Sequence, residues 1–225
     1  MVVWSFIITL FFWTIVEISI FFVSLLSFIL TTSLTYLLAR YIIRLIFFCC
    51  FIRIKVVGQA NLTNSERIIY FANKPDLIST FALIAYFPCR LHFVADRKMF
   101  KQWFLGRVVK AIGSLPDVKA KTDAFGFISR ISSLLKKSEA VLIYPANLRR
   151  WDKTIGSFGE AEIKVAKVIE ADIIPLVIKG TSEIIKPGEM LIKPGKVIIV
   201  IKEKLQNDDN ISEKLNLIYQ TELGG

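Results

Sequence analysis

A polar cluster, Asn73-Lys74-Pro75-Asp76, separates two apolar runs in the stretch FANKPDLIST, residues 71–80. The exit of a buried strand is where α/β enzymes hold reactive groups, which makes Lys74 a candidate general base. As a base it needs its pKa brought from ~10.4 to near 7, at a cost of ~4.6 kcal/mol in desolvation. Its other reading is a solvated turn residue. Asp76 follows Pro75 and precedes the apolar run LISTFALIAYF. That is the setting of a helix N-cap, worth ~1 kcal/mol. A second polar island, YPANLRR at 144–150, sets Arg149 beside Arg150. Two guanidinium groups offer forks for a phosphate; the competing role is to rest on a membrane surface. The single histidine, His92, lies outside both islands and reads as a satisfied or surface residue. Cys49, Cys50 and Cys89 show neither metal-ligand spacing nor a disulfide framework, so no metal and no cofactor is expected. Cys49-Cys50 read as small buried hydrophobes, with palmitoylation as the alternative.

These residues need a scaffold, and the patterning names one. Strands are expected at IRIKVV (52–57), RIIYFA (67–72), RLHFVA (90–95), AVLIYP (140–145), DIIPLVI (172–178) and KVIIVI (196–201). Helices are expected at 76–87, 100–112, 123–137, 158–170 and 211–222. This alternation predicts an α/β fold with a mixed, largely buried sheet flanked by helices, a single domain over residues 51–225.

The first fifty residues are different. Glu17 is the only charged side chain from Met1 to Ala39, and no Gly or Pro precedes Gly58. A helix over that apolar stretch would reach ~58 Å, against a hydrocarbon core of ~30 Å. Residues 1–50 are therefore expected to be a helical membrane anchor, either one long span or a hairpin bent near Thr31-Thr32-Ser33. Arg40, Arg44, Arg53 and Lys55 follow it, and the positive-inside rule puts the α/β domain on the cytoplasmic side. Beyond residue 50 the chain has 27 Lys and Arg against 18 Asp and Glu, a balance of +9. A basic face beside an anchor fits anionic membrane lipid. Nucleic acid is not an expected partner, because no recognition motif or aromatic-basic repeat is present. The stretch FKQWFLGRVVKAI, 100–112, fits an amphipathic core helix, or alternatively a helix lying on the bilayer.

Taken in order, four blocks resemble those of the glycerophospholipid acyltransferases, which include the lysophosphatidate acyltransferases. That family carries an Asn-His-x-Ser-x-x-Asp block, then an Ala-Lys-x-Glu-Leu…Gly-x6-Gly-x5-Arg-type block. A Phe-Pro-Glu-Gly-Thr-Arg-Ser block and a short strand with an Ile-Pro-Val core follow. The corresponding stretches here read NKPDLIS (73–79), ADRKMFKQWFLGRVVKAIGSLPDVK (95–119), YPANLRR (144–150) and DIIPLVIKG (172–180). The spacing agrees, Gly106 and Gly113 included; the polar letters differ.

In the family the histidine takes the proton from an acceptor hydroxyl, and the aspartate orients it. The hydroxyl then attacks an acyl thioester of coenzyme A or acyl carrier protein. The resemblance puts Lys74 at the histidine position and Ser79 at the aspartate position. It also implies an acceptor-phosphate site at Lys119, Asn147, Arg149 and Arg150, with Asn147 able to replace glycine at a positive φ. Loss of a general base is worth 10²–10⁴-fold in rate. The expectation is a membrane-bound acyltransferase-like protein that binds a lysophospholipid-type acceptor or an acyl donor, acyl-CoA or acyl-ACP, with catalysis lost or strongly reduced. An active 1-acylglycerol-3-phosphate O-acyltransferase with a non-standard base is the alternative. A structural membrane subunit is the third class.

Overall fold

The largely apolar first fifty residues are more than one bilayer crossing requires, and the chain folds them as two helices. The computed structural model describes residues 2–62, 67–73, 76–117, 124–144, 160–206 and 210–223. Helix α1 spans Val2–Leu26 and α2 spans Thr32–Cys49. The bend between them is closed by Thr31, whose Oγ1 accepts from the Leu34 N–H at 3.4 Å, an N-cap from a residue type suited to it. Both helices are long and apolar enough to cross a membrane.

The hairpin is docked on the rest of the chain along its length. In α1 the Ile192 N–H donates to Thr9 Oγ1 at 2.8 Å, and Trp13 Nε1 donates to the Met190 carbonyl at 2.9 Å. At the bend, Arg107 Nε donates to Ser27 Oγ at 3.1 Å and Arg90 reaches Ser33 Oγ at 3.3 Å. In α2 the arginines turn inward. Arg40 donates to the carbonyls of Ala85 (2.9 Å) and Phe87 (2.6 Å), and Arg44 donates to Ala85 at 2.8 Å. Those carbonyls end helix α3, Leu77–Tyr86, where the last turn has no intrahelical donors and the dipole favours a cation.

Seven strands follow among the described residues: β1 (Ile52–Val57), β2 (Ile68–Ala72), β3 (Leu91–Ala95), β4 (Leu115–Pro116), β5 (Ala140–Ile143), β6 (Asp172–Lys179) and β7 (Gly195–Ile201). They form one sheet in the order β1-β7-β6-β2-β5-β3-β4. Every pairing is parallel except β6 with β7. The mixed, largely buried α/β sheet expected from the sequence is present, with all six anticipated strands. The two-residue β4 is too short to leave a pattern. Helices α4 (Arg97–Lys101), α5 (Trp103–Ala111), α6 (Ala124–Leu135), α7 (Glu160–Ile169), α8 (Thr181–Ile184) and α9 (Ile211–Leu223), with a short 3-10 turn at Gln59–Asn61, complete the described elements. The helix expected over 100–112 is broken at Gln102, whose extended backbone (φ −74°, ψ 136°) separates α4 from α5.

Alternation along the strands sorts side chains into two cores, since neighbours in a strand point to opposite faces. Tyr70, Leu142, Leu176 and Ile199 pack under α3, with α1 and α2 behind it. Ile69, Phe71, Val141 and Val177 face the other way, against Ile131 and Leu135 of α6, Ala166 of α7, and Leu215 and Tyr219 of α9. Each such aliphatic or aromatic side chain contributes about 1.5–3 kcal/mol on full burial. The sheet is thus clamped on both faces, which leaves its edges for chemistry.

Candidate active site

Because β2, β3, β5 and β6 run parallel, their carboxyl ends share one edge of the sheet. This is the edge where open α/β sheets receive ligands. Asn73 and Asp76 leave β2 there, Asp96 leaves β3, Tyr144 leaves β5, and Gly180-Thr181 leave β6. Asn73, Asp76, Tyr144 and Thr181 therefore share one edge of the sheet, although they are distant in the chain.

A buried hydrogen-bond network holds this edge. Asn73 acts as a substitute ladder residue: its Nδ2 donates to the Ile178 carbonyl at 3.1 Å, and its Oδ1 accepts from the Ile178 N–H at 2.8 Å. Asp76 caps α3 as the sequence implies. Its Oδ1 accepts from the Ser79 N–H at 2.6 Å, while the Asp76 N–H lies 3.1 Å from Ser79 Oγ. That is a reciprocal capping box. The other carboxylate oxygen, Oδ2, accepts from Thr181 Oγ1 at 2.7 Å. Thr80 Oγ1 donates to the Asp76 carbonyl at 2.9 Å and lies 3.3 Å from the Tyr144 hydroxyl. Burial pushes the Tyr144 hydroxyl pKa far up, partly offset by hydrogen bonds from Thr80 and Ser79 and reinforced by the Asp76 charge. Tyr144 is therefore a neutral phenol at pH 7, able to donate a proton in a hydrogen bond but unsuited to act as a base.

Of the site residues named from the sequence, Ser79 is described and wholly buried. Its hydroxyl serves the start of α3. Lys74, Lys119, Asn147, Arg149 and Arg150 lie outside the described residues. Their attachment points are informative: Phe71 of β2 is in register with Ile143 of β5, so the chain enters the Lys74 and YPANLRR segments from adjacent strands. Thr181, Thr80 and Tyr144 were missed as site residues. The available signal for Tyr144 and Thr181 was a hydroxyl placed just past the carboxyl end of a parallel strand, whereas Thr80 lies inside α3.

His92 is at the other edge. It sits near the start of β3, paired with Val141 of β5. Its Nδ1 lies 2.6 Å from the Gly113 carbonyl and its Nε2 meets the Glu139 carboxylate. His92 is thus buried at the start of β3, at the edge opposite Asn73 and Asp76. Gly113 is constrained by the same contact. Its φ is +85°, and a Cβ there would lie 2.6 Å from Arg90 and 2.9 Å from the His92 ring. At Gly106 a Cβ would lie 2.5 Å from the Phe100 carbonyl, so this glycine lets α5 fold tightly back on α4. The two glycines of the second block are thus both required by close approach.

The Acyltransferase family model matches residues 53–179, more than half of the chain. The chain belongs to the Acyltransferase family. It is 24% identical over 143 residues to the 1-acyl-sn-glycerol-3-phosphate acyltransferase LPAT1, chloroplastic, of Arabidopsis thaliana, covering 61% of this chain and 39% of that protein. It is 21% identical over 184 residues to the 1-acyl-sn-glycerol-3-phosphate acyltransferase BAT2, chloroplastic, of Brassica napus, covering 75% of this chain and 52% of that one. The chain thus spans between about two fifths and half of the length of these relatives. In fold it is similar to the crystal structure of the 1-acyl-sn-glycerophosphate (LPA) acyltransferase PlsC of Thermotoga maritima. The TM-score is 0.77 at 21% identity, over 98% of this chain and 93% of that one.

Proposed function

We propose that this chain is a membrane-bound, lysophosphatidate acyltransferase-like protein whose acyl transfer is lost or strongly reduced. The observation that carries the reading is the state of Ser79. Its side chain is buried within the first turn of α3 and engaged in the capping box, where the resemblance calls for the carboxylate that orients a base. A serine hydroxyl has no charge with which to stabilise a base as it gains a proton. Lys74 would have to be deprotonated by desolvation alone.

In the full reaction an acceptor hydroxyl loses its proton, its oxygen attacks the thioester carbonyl carbon, and the C–S bond breaks to release a thiol. Without an effective base the first of these steps is slow. Binding is a separable task. Lys119, Asn147, Arg149 and Arg150 are assigned to the acceptor phosphate, and the names of the two relatives make an acylated glycerol phosphate the acceptor to test. The donor to test is acyl-CoA or acyl-ACP.

Attachment is assigned to residues 1–50, with the chemistry-bearing unit at 51–225 on the cytoplasmic side. The hairpin lies along the α/β layer, with one ridge, including Phe6, Leu10, Phe21, Phe22 and Leu25, turned outward. Glu17 is exposed on α1. An exposed carboxylate there suits a hairpin lying in one leaflet near the headgroups better than one that crosses the bilayer centre.

One observation favours the active alternative. Asp76 keeps a buried carboxylate two residues from Lys74, and its Oδ2 is turned away from the cap toward Thr181. The deciding assay uses the purified full-length protein with lysophosphatidate and labelled acyl-CoA or acyl-ACP, beside an active family enzyme. Turnover at a small fraction of that enzyme's rate, unchanged in Lys74→Ala, is the expected result. Robust turnover abolished by Lys74→Ala establishes the active reading.

A further inference from the structure

The face formed by α4 and α5 is not explained by packing. From Arg97 to Ala111 these helices carry five cations and no acid. Asp96, just before them, accepts from the Lys98 N–H at 2.9 Å and serves the helix start. At the corner between the two helices Trp103 is 89% exposed, the most exposed large apolar side chain in the described residues. Phe104 beside it is 46% exposed, and its ring meets Phe21 of α1 at 5.3 Å. The aromatic corner is therefore continuous with the outward apolar ridge of the hairpin. Lys98, Lys101 and Lys110 are exposed around it. An exposed indole framed by ammonium groups matches one chemistry, a bilayer interface with anionic headgroups: the ring enters the acyl region, its N–H stays at headgroup level, and the lysines meet phosphates.

We propose that the α4–α5 face is a second membrane contact that gathers anionic lipid, with Trp103 inserted beside the hairpin. This rests on the reading that the hairpin lies on the bilayer, and it is independent of whether acyl transfer occurs. It assigns the two attachments different roles. The hairpin holds the protein by apolar area regardless of headgroup, while α4–α5 fixes the rotation of the domain about the hairpin and enriches anionic lipid beside the sheet.

The test uses full-length protein in phosphatidylcholine vesicles containing a minor fraction of phosphatidylglycerol. Dibrominated acyl chains, which quench nearby indoles, are carried at equal mole fraction on either phosphatidylglycerol or phosphatidylcholine. The Trp103 component is the difference between wild type and Trp103→Phe, a change at an exposed position that the fold tolerates. That component is expected to be quenched ~twofold or more more strongly by the brominated anionic lipid. High salt or the double variant Lys98→Glu/Lys101→Glu should bring the two lipids to parity, while Lys136→Glu/Lys137→Glu after α6 should not. Equal quenching by both headgroups in the wild type, or a Trp103 component untouched by either lipid, overturns the proposal while the remaining tryptophans still report the hairpin. No quenching of any tryptophan overturns the hairpin reading as well.

Discussion

Thr181 donates its hydroxyl proton to Oδ2 of Asp76 across 2.7 Å, although 105 residues separate them in the chain. The bond joins the start of α3 to the start of α8, and so ties together the exits of β2 and β6, which are neighbours in the sheet. One carboxylate thereby caps a helix and locks the mouth of the candidate site.

Asp76→Ala is expected to cost about 2 kcal/mol or more, because it removes a cap worth ~1 kcal/mol and also leaves the buried Thr181 hydroxyl without its acceptor. Asp76→Asn keeps an acceptor oxygen and should lose about half as much. Thr181→Val should fall between wild type and Asp76→Ala. Midpoints of thermal unfolding in detergent check the ranking, and an Asp76→Ala protein as stable as wild type would remove the cap from the account.

Asn73 replaces a missing rung between two strand exits. Asn73→Ala orphans both the N–H and the carbonyl of Ile178, each a buried group whose loss of a partner costs about 1–3 kcal/mol. Asn73→Asp retains the acceptor for the Ile178 N–H but sets a buried carboxylate against the Ile178 carbonyl, so a loss at least as large as that of the alanine variant is expected. Hydrogen exchange at the Ile178 amide reads the difference directly: fast in the alanine variant, slow in wild type.

Arg40 holds two carbonyls at the end of α3, Ala85 and Phe87, through separate nitrogens of one planar group. Arg40→Lys cannot reproduce that fork. Both Arg40→Lys and Arg40→Ala should therefore loosen α2 from α3, seen as faster proteolysis between the hairpin and the sheet. Full protection in the lysine variant would mean that charge alone, without the two-point geometry, holds the helices together.

Glu222 accepts from Lys179 Nζ at 2.6 Å and from Lys202 Nζ. Those two ammonium groups hold its carboxyl below the usual glutamate value. A pKa lower in the folded state adds stability that is full above the unfolded value of about 4.3 and is lost as pH falls through the folded one. Glu222→Gln should thus be less stable than wild type at pH 7, by up to ~1 kcal/mol given partial exposure and salt screening. The gap should close as the pH drops below the ordinary glutamate range. A gap that persists there would point to packing rather than charge.

What was legible in the sequence follows the length scale of the signal. β2 and β6 are unbroken apolar runs and could be placed within a residue or two, because a strand buried on both faces leaves a continuous mark. The Asp76 cap was legible for the same local reason, since a helix start involves residues three apart. The division of labour at Gln102 was not, because a single extended residue inside an amphipathic stretch leaves the periodicity nearly intact. Thr181 was not legible as a partner of Asp76 either. Periodicity says which residues face inward; it does not say which loops meet, and that depended on β2 and β6 becoming neighbours. The two glycines of the second block could be matched by spacing, but their cause, backbone and ring atoms within 3 Å of a would-be Cβ, lies wholly in the tertiary fold.

The pairing of β1 with β7 has a consequence in time. During synthesis α1 and α2 emerge before β1, yet the strand that pairs with β1 among the described residues spans residues 195–201. At ribosomal rates of about 5–20 residues per second, that partner arrives roughly 7–30 s later. Throughout that interval β1 is an open edge tethered to a greasy hairpin, the form of nascent chain most exposed to wrong pairing. Early capture of the hairpin by lipid would hold that edge apart from other chains until β7 closes it. The order of the elements thus makes biogenesis at a membrane surface a safer route than release into solution followed by attachment.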